Sequence, residues 1–472
     1  MLKKCLPIAV AVALALSACA VGPDYQRPAV ELPQGWQAGA VAATTPAVSP
    51  TWWRAYGDPV LDQLVDEALA NNRNLASAAA KVDEARAQAG IARSSLLPQL
   101  SATAGYQKGR SATDLRTPGA PAVTDVRSAN GLLSWELDLW GKLRRANEAA
   151  YAGYLSSQYA EEAARLSISA TVAQTYFQLR AFDAQLEITR QTLVSREESL
   201  RLNQRRFQGG VTSELDYRQA EAEAASARAQ VPLLEQSVRQ TENALGVLLG
   251  RSPRALVDAK VKRGKALENM ALPPAIPTGL PSDLLTRRAD LRAAEQQLKA
   301  ANANIGIARA AYFPSIGLTG ALGSQSLALD TLFNGPNRTW NFAANLAMPI
   351  FDWGKTGYGV DAANARQKQA LAGYELAIQN AFGETLNALS LTGTSAARQA
   401  AQLTQYKALQ EALRLARLRY DNGYSSYLEV LDAERGFYQA ELQLVDARLS
   451  QLQASIDLFK AVGGGWQVSP AS

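Results

Sequence analysis

Apolar residues recur at steps of three and four through the proline-free segment 354–462. One series there reads Leu428, Leu431, Arg435, Tyr438, Leu442, Val445, Leu449, Leu452, Ile456 and Phe459. This spacing is typical of a heptad seam between packed helices, and Arg435 is its one charged member. Asn422-Gly423 divides the segment, and Asn-Gly is a common helix C-terminus. The pattern therefore predicts a long antiparallel helical hairpin over 354–462.

A second hairpin is predicted earlier in the chain, over residues 142–249. The stretch from Lys142 to Phe207 contains no proline, so a continuous helix there would be about 100 Å long. Gly209-Gly210 predicts its end, and a returning helix follows. Ser213 with Asp216 predicts a capping box at the start of that helix, and Ser426 with Glu429 predicts the same in the later hairpin.

Four other segments alternate apolar and polar residues with a period of two. They lie at about 99–108, 131–140, 314–324 and 339–351. Each predicts a strand of roughly ten residues that is apolar on one face. Strands of this length can cross a membrane, whereas no run of eighteen apolar residues exists that would predict a membrane-spanning helix.

The chain is an internal duplication. The segment 90–93 recurs at 306–309, and Trp140-Gly141-Lys142 recurs as Trp353-Gly354-Lys355. The offset between the two copies is 216 residues for the first motif and 213 residues for the second. Because this offset is nearly constant through the copy, chance similarity is excluded. The predicted organisation is a first repeat over 58–250, a proline-rich equatorial connector over 251–281, a second repeat over 282–462 and a tail over 463–472.

The N-terminus has the features of a secretory signal. Two lysines, about eleven apolar residues and small residues precede Cys19, which predicts a signal peptide over 1–18. This pattern resembles the lipobox of bacterial lipoproteins, which implies cleavage before Cys19 and its acylation, with palmitate among the attached chains. Ala20 then favours sorting to the outer membrane, with the anchor on the periplasmic side. Residues 19–57 are predicted to be an extended, lipid-anchored segment.

Composition excludes several classes of function. The chain has no histidine, and its only cysteine outside the signal peptide is Cys19. Neither a histidine base nor a thiol nucleophile is available, so we expect no enzyme, no metal site and no cofactor apart from the covalent lipid. The formal net charge is only +5, and acidic and basic residues are interspersed along the helices. No basic surface for nucleic acid is therefore expected.

Four strands per chain cannot close a barrel, because an open sheet edge in lipid leaves backbone groups unpaired. Chains must therefore associate. Two would give eight strands around a filled lumen, and three would give twelve with room for a channel.

These features together resemble the outer-membrane factor (TolC-like) family, in its lipoprotein branch that serves multidrug pumps. The resemblance rests on the lipobox, the duplication, the two Trp-Gly-Lys junctions and the tip motifs at 206–221 and 419–435. It implies a trimer in which a long α-barrel joins a 12-stranded β-barrel. It also implies two partners, a periplasmic adaptor protein and an inner-membrane transporter of the resistance-nodulation-division (RND) type, for the efflux of drugs or other toxic compounds.

The resemblance also implies roles for residues at the helical tips. It gives a periplasmic gate at Asp216, Tyr420, Glu429, Asp432 and Arg435, in which we expect Asp432 and Arg435 to hold the resting channel shut. It gives adaptor-docking tips at Gly209, Gly210, Ser213, Gly423, Ser425 and Ser426. Some family members have an arginine where this chain has Ser425. From the residues alone, a solvated tip with local ion pairs explains the same charges.

Two alternatives remain open from the sequence. One is the outer-membrane duct of a type I protein secretion system, and the other is a lipid-anchored structural coiled-coil protein. The second explains the heptads and Cys19 but not four symmetrically placed strands. Substrate range cannot be determined from the sequence, because the inner-membrane pump selects the substrate.

Overall fold

The computed structural model describes residues 20–33, 35–36, 49–112, 114, 116–258, 260–273 and 281–465. The predicted signal peptide and Cys19 lie outside the described residues, as does most of the predicted tail. The chain divides into two compact units. The first contains the described parts of Met1–Ala29, Lys81–Gln158 and Ala293–Glu375, and the second those of Val30–Ala80, Tyr159–Arg292 and Leu376–Ser472.

Most of the described residues are helical, and the same order of helices and strands occurs twice along the chain. The helices are α1 (Pro59–Asn71), α2 (Arg73–Ser94), α3 (Lys142–Gln208), α4 (Glu214–Leu248), α5 (Pro253–Asp258), α6 (Leu284–Arg287), α7 (Ala289–Ala310), α8 (Lys355–Asp421) and α9 (Tyr427–Ala461). Helices α3 and α8 each have 67 residues, and α4 and α9 each have 35. The two predicted hairpins are therefore present, and α4 continues through Pro232.

The first unit contains a four-stranded antiparallel sheet in the order β1-β2-β3-β4. Its strands are β1 (Gln99–Arg110), β2 (Val123–Leu137), β3 (Ser315–Ser326) and β4 (Arg338–Ala347). Strand β2 begins eight residues before the predicted start at 131. The largely polar residues 123–130, whose sequence is typical of a loop, pair with the C-terminal half of β1. It also ends three residues before the predicted 140, at a turn in which Leu139 N–H donates to the Leu137 carbonyl.

Strand β4 is likewise shorter than the predicted 339–351. Its last residue is Ala347, and Pro349 follows, which lacks the N–H that a continuing ladder would require. The loop ends of the strands are joined by the connections 111–122 and 327–337. Their opposite ends lead into α3 and α8.

The core of the second unit includes residues that were predicted to be an extended tether. Trp52, Trp53 and Tyr56 form a short 3-10 turn and are buried. The Trp52 ring stacks on Phe459 at 5.2 Å between ring centroids, and the Tyr56 hydroxyl lies 2.7 Å from that of Ser455. The prediction that the segment is extended as far as residue 57 is therefore wrong for residues 52–56. Burying large aromatic side chains lowers the free energy of the folded chain, which favours a packed turn over an exposed tether.

No helix among the described residues is both long enough and apolar enough to cross a membrane. In the same part of the chain, no group of three histidine, cysteine or acidic side chains is arranged to hold a metal ion.

Candidate functional site: the helical tips

The two tips of the second unit share one backbone conformation. At the first, Gly210 has a φ of 70° and the Val211 N–H donates to the Arg206 carbonyl at 2.8 Å. At the second, Gly423 has a φ of 75° and the Tyr424 N–H donates to the Arg419 carbonyl at 2.8 Å. This left-handed conformation favours glycine, which explains why Gly210 and Gly423 end their helices.

The predicted cap at Ser213 is present, but the Asp216 carboxylate binds side-chain hydroxyls rather than the Ser213 N–H that a full capping box requires. The Ser213 hydroxyl accepts from the Asp216 N–H at 3.2 Å and donates to the Asp216 carboxylate at 2.9 Å. The Thr212 hydroxyl donates to the same carboxylate at 2.6 Å. Asp216, predicted as a gate residue, is therefore hydrogen-bonded within its own tip.

The predicted capping box between Ser426 and Glu429 is wrong. Ser426 makes no side-chain hydrogen bond to the first turn of α9. The Glu429 carboxylate instead lies 3.2 Å from the Arg419 Nε, near the end of α8. The Arg419 guanidinium carries a full positive charge and several donors, so it competes with the neutral backbone N–H for the Glu429 carboxylate. Next to this pair, the buried Ser425 Oγ has no partner among the described residues.

Tyr420 connects the two tips. Its hydroxyl accepts from the Arg206 guanidinium at 2.9 Å, and the same guanidinium lies 5.5 Å from the centre of the Tyr420 ring. The ring also packs against Tyr427, which is buried with Ala220 and Leu431. Burial, with Glu434 nearby, raises the pKa of Tyr427 to about 12. The aromatic residue predicted for the gate is thus part of a contact between the two repeats.

Arg435 also joins the two repeats, but with a partner that the sequence did not indicate. Its Nε donates to the Glu223 carboxylate of α4 at 2.7 Å. The second oxygen of that carboxylate lies 3.0 Å from Arg196 of α3, whose side chain is 7% exposed. Asp432 is exposed and has no hydrogen bond or ion pair with any residue that the structure describes.

A row of buried polar side chains on α3 also belongs to the site, although it was not predicted from the sequence. Thr189, Arg196 and Asn203 are all buried and lie seven residues apart. The Thr189 hydroxyl lies 2.9 Å from that of Tyr438, and the Arg196 guanidinium lies 5.3 Å from the Tyr438 ring centre. The signal was present in the sequence, because these three polar residues occupy seam positions that normally hold apolar ones.

A cavity lies farther from the tips, between α3, α8 and α9. Its volume is about 740 Å³, and its lining includes Tyr406, Glu441 and Arg448. Burial raises the pKa of Glu441 above its usual value and lowers that of Arg448.

Comparisons with known proteins agree with this architecture. A sequence model of the outer membrane efflux protein family matches residues 64–251 and again 280–464. Outer membrane protein OprJ of Pseudomonas aeruginosa is 37% identical over 462 residues, covering 97% of this chain and 95% of OprJ. The toluene efflux pump outer membrane protein TtgF of Pseudomonas putida is 38% identical over 469 residues, covering 97% of this chain and 96% of TtgF.

Solved structures give the same result. The Campylobacter jejuni CmeC outer membrane channel superposes with a TM-score of 0.90 at 30% identity, covering 95% of this chain and 96% of CmeC. The open state of the Neisseria gonorrhoeae MtrE outer membrane channel gives a TM-score of 0.84 at 36% identity, covering 95% of this chain and 98% of MtrE.

The repeated helical hairpins and the four-stranded sheet with an apolar face define a subunit of an outer-membrane channel. The chain belongs to the outer membrane efflux protein family, and its two matched segments correspond to the two repeats. The predicted resemblance and fold class are confirmed, as is the predicted function in efflux across the outer membrane. A channel rather than an enzyme is the function to which the family points.

Proposed function

We propose that this chain forms the exit duct of a tripartite efflux pump, which passes drugs or other toxic small molecules from an inner-membrane RND transporter and a periplasmic adaptor to the exterior. The observation that carries the proposal is near-full-length similarity to efflux-pump proteins, at 37% and 38% identity over 97% of the chain.

The duct is a homotrimer. In the described sheet, β1 and β4 are edge strands, each paired on one side. An unpaired edge is not tolerated in a bilayer, so β4 of one chain must pair with β1 of the next. Three chains supply twelve strands, which leave an open lumen.

The N-terminal segment holds the chain beside its lipid anchor at Cys19. The Val21 N–H donates to the Trp140 carbonyl at 3.0 Å, and Arg27 forms an ion pair with the largely buried Glu295 at 2.6 Å. These contacts lie in the first unit, directly after the proposed acylated cysteine. They fit a chain whose acyl groups insert into the periplasmic leaflet of the outer membrane.

The gate of the resting channel involves the tips of α8 and α9. Asp432 and Glu429 are exposed, and in a trimer three copies of each would form acidic rings around the axis. Such rings select cations. Because Arg435 is bound to Glu223 within the chain, we propose that Arg435 positions the α9 tip, and that Asp432 forms its closing contacts with neighbouring chains.

The adaptor binds the two tips through an apolar surface. Val211 and Tyr424 occupy equivalent positions of the two repeats and are 78% and 79% exposed. Leu215 and Leu428 are a second equivalent pair, and both are also exposed. Around them, the docking surface includes the turns with Gly209, Gly210 and Ser213 and with Gly423, Ser425 and Ser426. Exposed apolar side chains repeated at both tips fit a partner that docks on each.

The test is efflux in cells that lack their own outer-membrane channel and contain an adaptor and an RND transporter. The wild-type chain should raise drug tolerance, and Val211→Glu with Tyr424→Glu should abolish that gain while the trimer remains intact. Val257→Glu is the matched control, because Val257 is 86% exposed and lies far along the sequence from either tip. Unchanged tolerance in the tip variant would refute adaptor docking at this surface.

A further inference from the structure

The basic residues of the sheet all lie on its apolar face. The sheet contains four of them: Lys108 and Arg110 on β1, Arg127 on β2 and Arg338 on β4. The backbone register pairs Tyr106 with Arg127, Lys108 with Asp125 and Ser324 with Arg338. Because directly opposed residues point to the same side of a sheet, these side chains share one face.

That face is the one with large exposed apolar side chains. Leu322 pairs with Trp340 in the next row, and these residues are 71% and 80% exposed. Leu100 and Phe342 lie farther along the same face and are also exposed. In a membrane barrel this is the lipid face, and the opposite face lines the lumen.

The lumen face at the same end of the sheet is uncharged. Its residues there are Gln107, Gly109, Thr124, Val126, Gln325 and Thr339. A channel that used these charges for ion selection would have them on the lumen face. Their segregation to the lipid face indicates a ligand outside the barrel.

Two of the four basic side chains are free to bind such a ligand. Arg127 donates to the Leu327 carbonyl at 2.6 Å and lies 5.2 Å from the Tyr106 ring centre, so it is already in use. Lys108 lies 4.0 Å from Asp125, the single acidic residue of this face. Arg110 and Arg338 are exposed and pair with no described residue.

The cluster lies at the loop end of the strands, opposite the ends that lead into α3 and α8. If the helices are periplasmic, as the proposed function requires, the loop end is at the outer leaflet. Charged residues on a lipid face are tolerated near the interface but not at mid-depth, and aromatic residues such as Tyr106 and Trp340 mark that interface. The cluster is therefore at headgroup level.

We propose that Arg110 and Arg338, supported by Lys108 and Arg127, bind the phosphate groups of an outer-leaflet glycolipid of the lipopolysaccharide class. The inference rests on the proposed function, since that function sets which end of the sheet faces outward. Guanidinium groups bind phosphate oxygens in bidentate fashion, and a basic face adjoining apolar side chains matches a phosphorylated headgroup on acyl chains.

Trimer closure strengthens the cluster. Arg110 is on the edge strand β1 and Arg338 on the edge strand β4, which become neighbours between chains. The apolar face of β1 has no acidic residue that could neutralise Arg338. The trimer would thus have three equivalent phosphate sites around its outer surface.

The experiment is native mass spectrometry of the purified full-length trimer in detergent, titrated with bisphosphorylated lipid A, dephosphorylated lipid A or phosphatidylglycerol. The wild type should prefer bisphosphorylated lipid A to both other lipids. Arg110→Gln with Arg338→Gln should weaken that binding about twenty-fivefold, because each basic residue near an anionic surface contributes about fivefold. Arg127 is left unchanged because it also holds a loop.

The matched control is Arg366→Gln with Lys368→Gln, which removes the same charge from exposed positions of α8 and should leave binding unchanged. Equal binding of lipid A by the wild type and the Arg110/Arg338 variant would overturn the site, as would equal affinity for the three lipids. Drug tolerance of the channel-deficient cells separates the two claims. A wild type that restores tolerance without preferring the phosphorylated lipid overturns the lipid site alone, and one that does not restore tolerance overturns the proposed function.

Discussion

The guanidinium of Arg435 donates to the carboxylate of Glu223, and these two residues belong to different repeats of one chain. The same carboxylate binds Arg196, so one acidic side chain holds together α3, α4 and α9 close to the tips. Arg196 is nearly enclosed, and a buried charge without its partner is strongly unfavourable. Tip geometry therefore depends on this triad before any neighbouring chain is considered.

Glu223→Gln should loosen the tips without dissolving the trimer. It leaves the buried Arg196 without its counter-charge, which costs about 3–5 kcal/mol for a buried pair. Hydrogen exchange of the backbone around Glu223 in α4 and around Arg435 in α9 should accelerate accordingly. Glu197→Gln is the control, because the Glu197–Arg228 pair is exposed and should contribute about 0–1 kcal/mol. Equal exchange in both variants would show that the triad does not stabilise the tip.

Asp432→Ala should increase the conductance of the resting channel in planar bilayers. The side chain is exposed and has no partner among the described residues, so thermal stability should not change. The effect would come from removing one carboxylate per chain at the pinched end. Glu411→Ala, a surface carboxylate paired locally with Arg414, should leave conductance unchanged. An unchanged resting conductance in Asp432→Ala would eliminate Asp432 from the gate.

Tyr420→Phe should weaken the contact between the tips by about 1 kcal/mol, the usual contribution of one hydrogen bond. The variant loses the hydroxyl that accepts from Arg206 but keeps the ring that packs on Tyr427. Tyr420→Ala removes both contacts and should have the larger effect. Protease cleavage in the 209–213 turn, followed over time, measures the difference. Identical cleavage of the wild type and the Phe variant would contradict a role for the hydroxyl.

Glu441→Gln should stabilise the protein more at pH 8 than at pH 4. Burial raises the pKa of Glu441 in the folded state above its usual value of 4.5, so ionisation favours the unfolded chain. Wild-type stability therefore falls as pH rises from the unfolded-state pKa to the folded-state pKa, and stays lower above it. Glutamine does not ionise, so the Glu441→Gln variant does not lose stability in this way as the pH rises.

Thermal unfolding in detergent, followed by circular dichroism, measures this difference. Glu411→Gln is the control with the opposite sign, because its hydrogen bond with Arg414 lowers the pKa of Glu411. A gain for Glu441→Gln that is the same at both pH values would indicate that burial does not disfavour its charge.

The sequence predicted the parts of the fold that depend on local pattern. The absence of proline over Lys142 to Phe207 was sufficient to predict α3, and Gly210 and Gly423 marked both turns. Contacts between distant residues could not be predicted in this way. Arg435 stood out as a charge in an apolar seam, but its partner Glu223 is 212 positions away in the chain.

Competition between partners also limited the prediction. Ser213 and Ser426 have similar neighbours in the sequence, yet only the first caps its helix with its hydroxyl. The Asp216 N–H donates to the Ser213 hydroxyl, whereas the Glu429 N–H donates to the Ser426 carbonyl and the Glu429 carboxylate pairs with Arg419. The start of β2 was missed because Thr124 to Asn130 lacks the apolar alternation of a strand and is recognised only through its pairing with β1.

In the proposed function, the tips connect an outer-membrane duct to an adaptor and a proton-driven pump. The most direct test puts a photo-crosslinking amino acid at Tyr424, an exposed aromatic position at the second tip, in living cells. Mass spectrometry should then identify a periplasmic adaptor, together with an RND transporter in the same complex. Capture of an adaptor linked to an ABC transporter, or of neighbouring copies of this chain alone, would contradict the proposed function in RND-driven efflux.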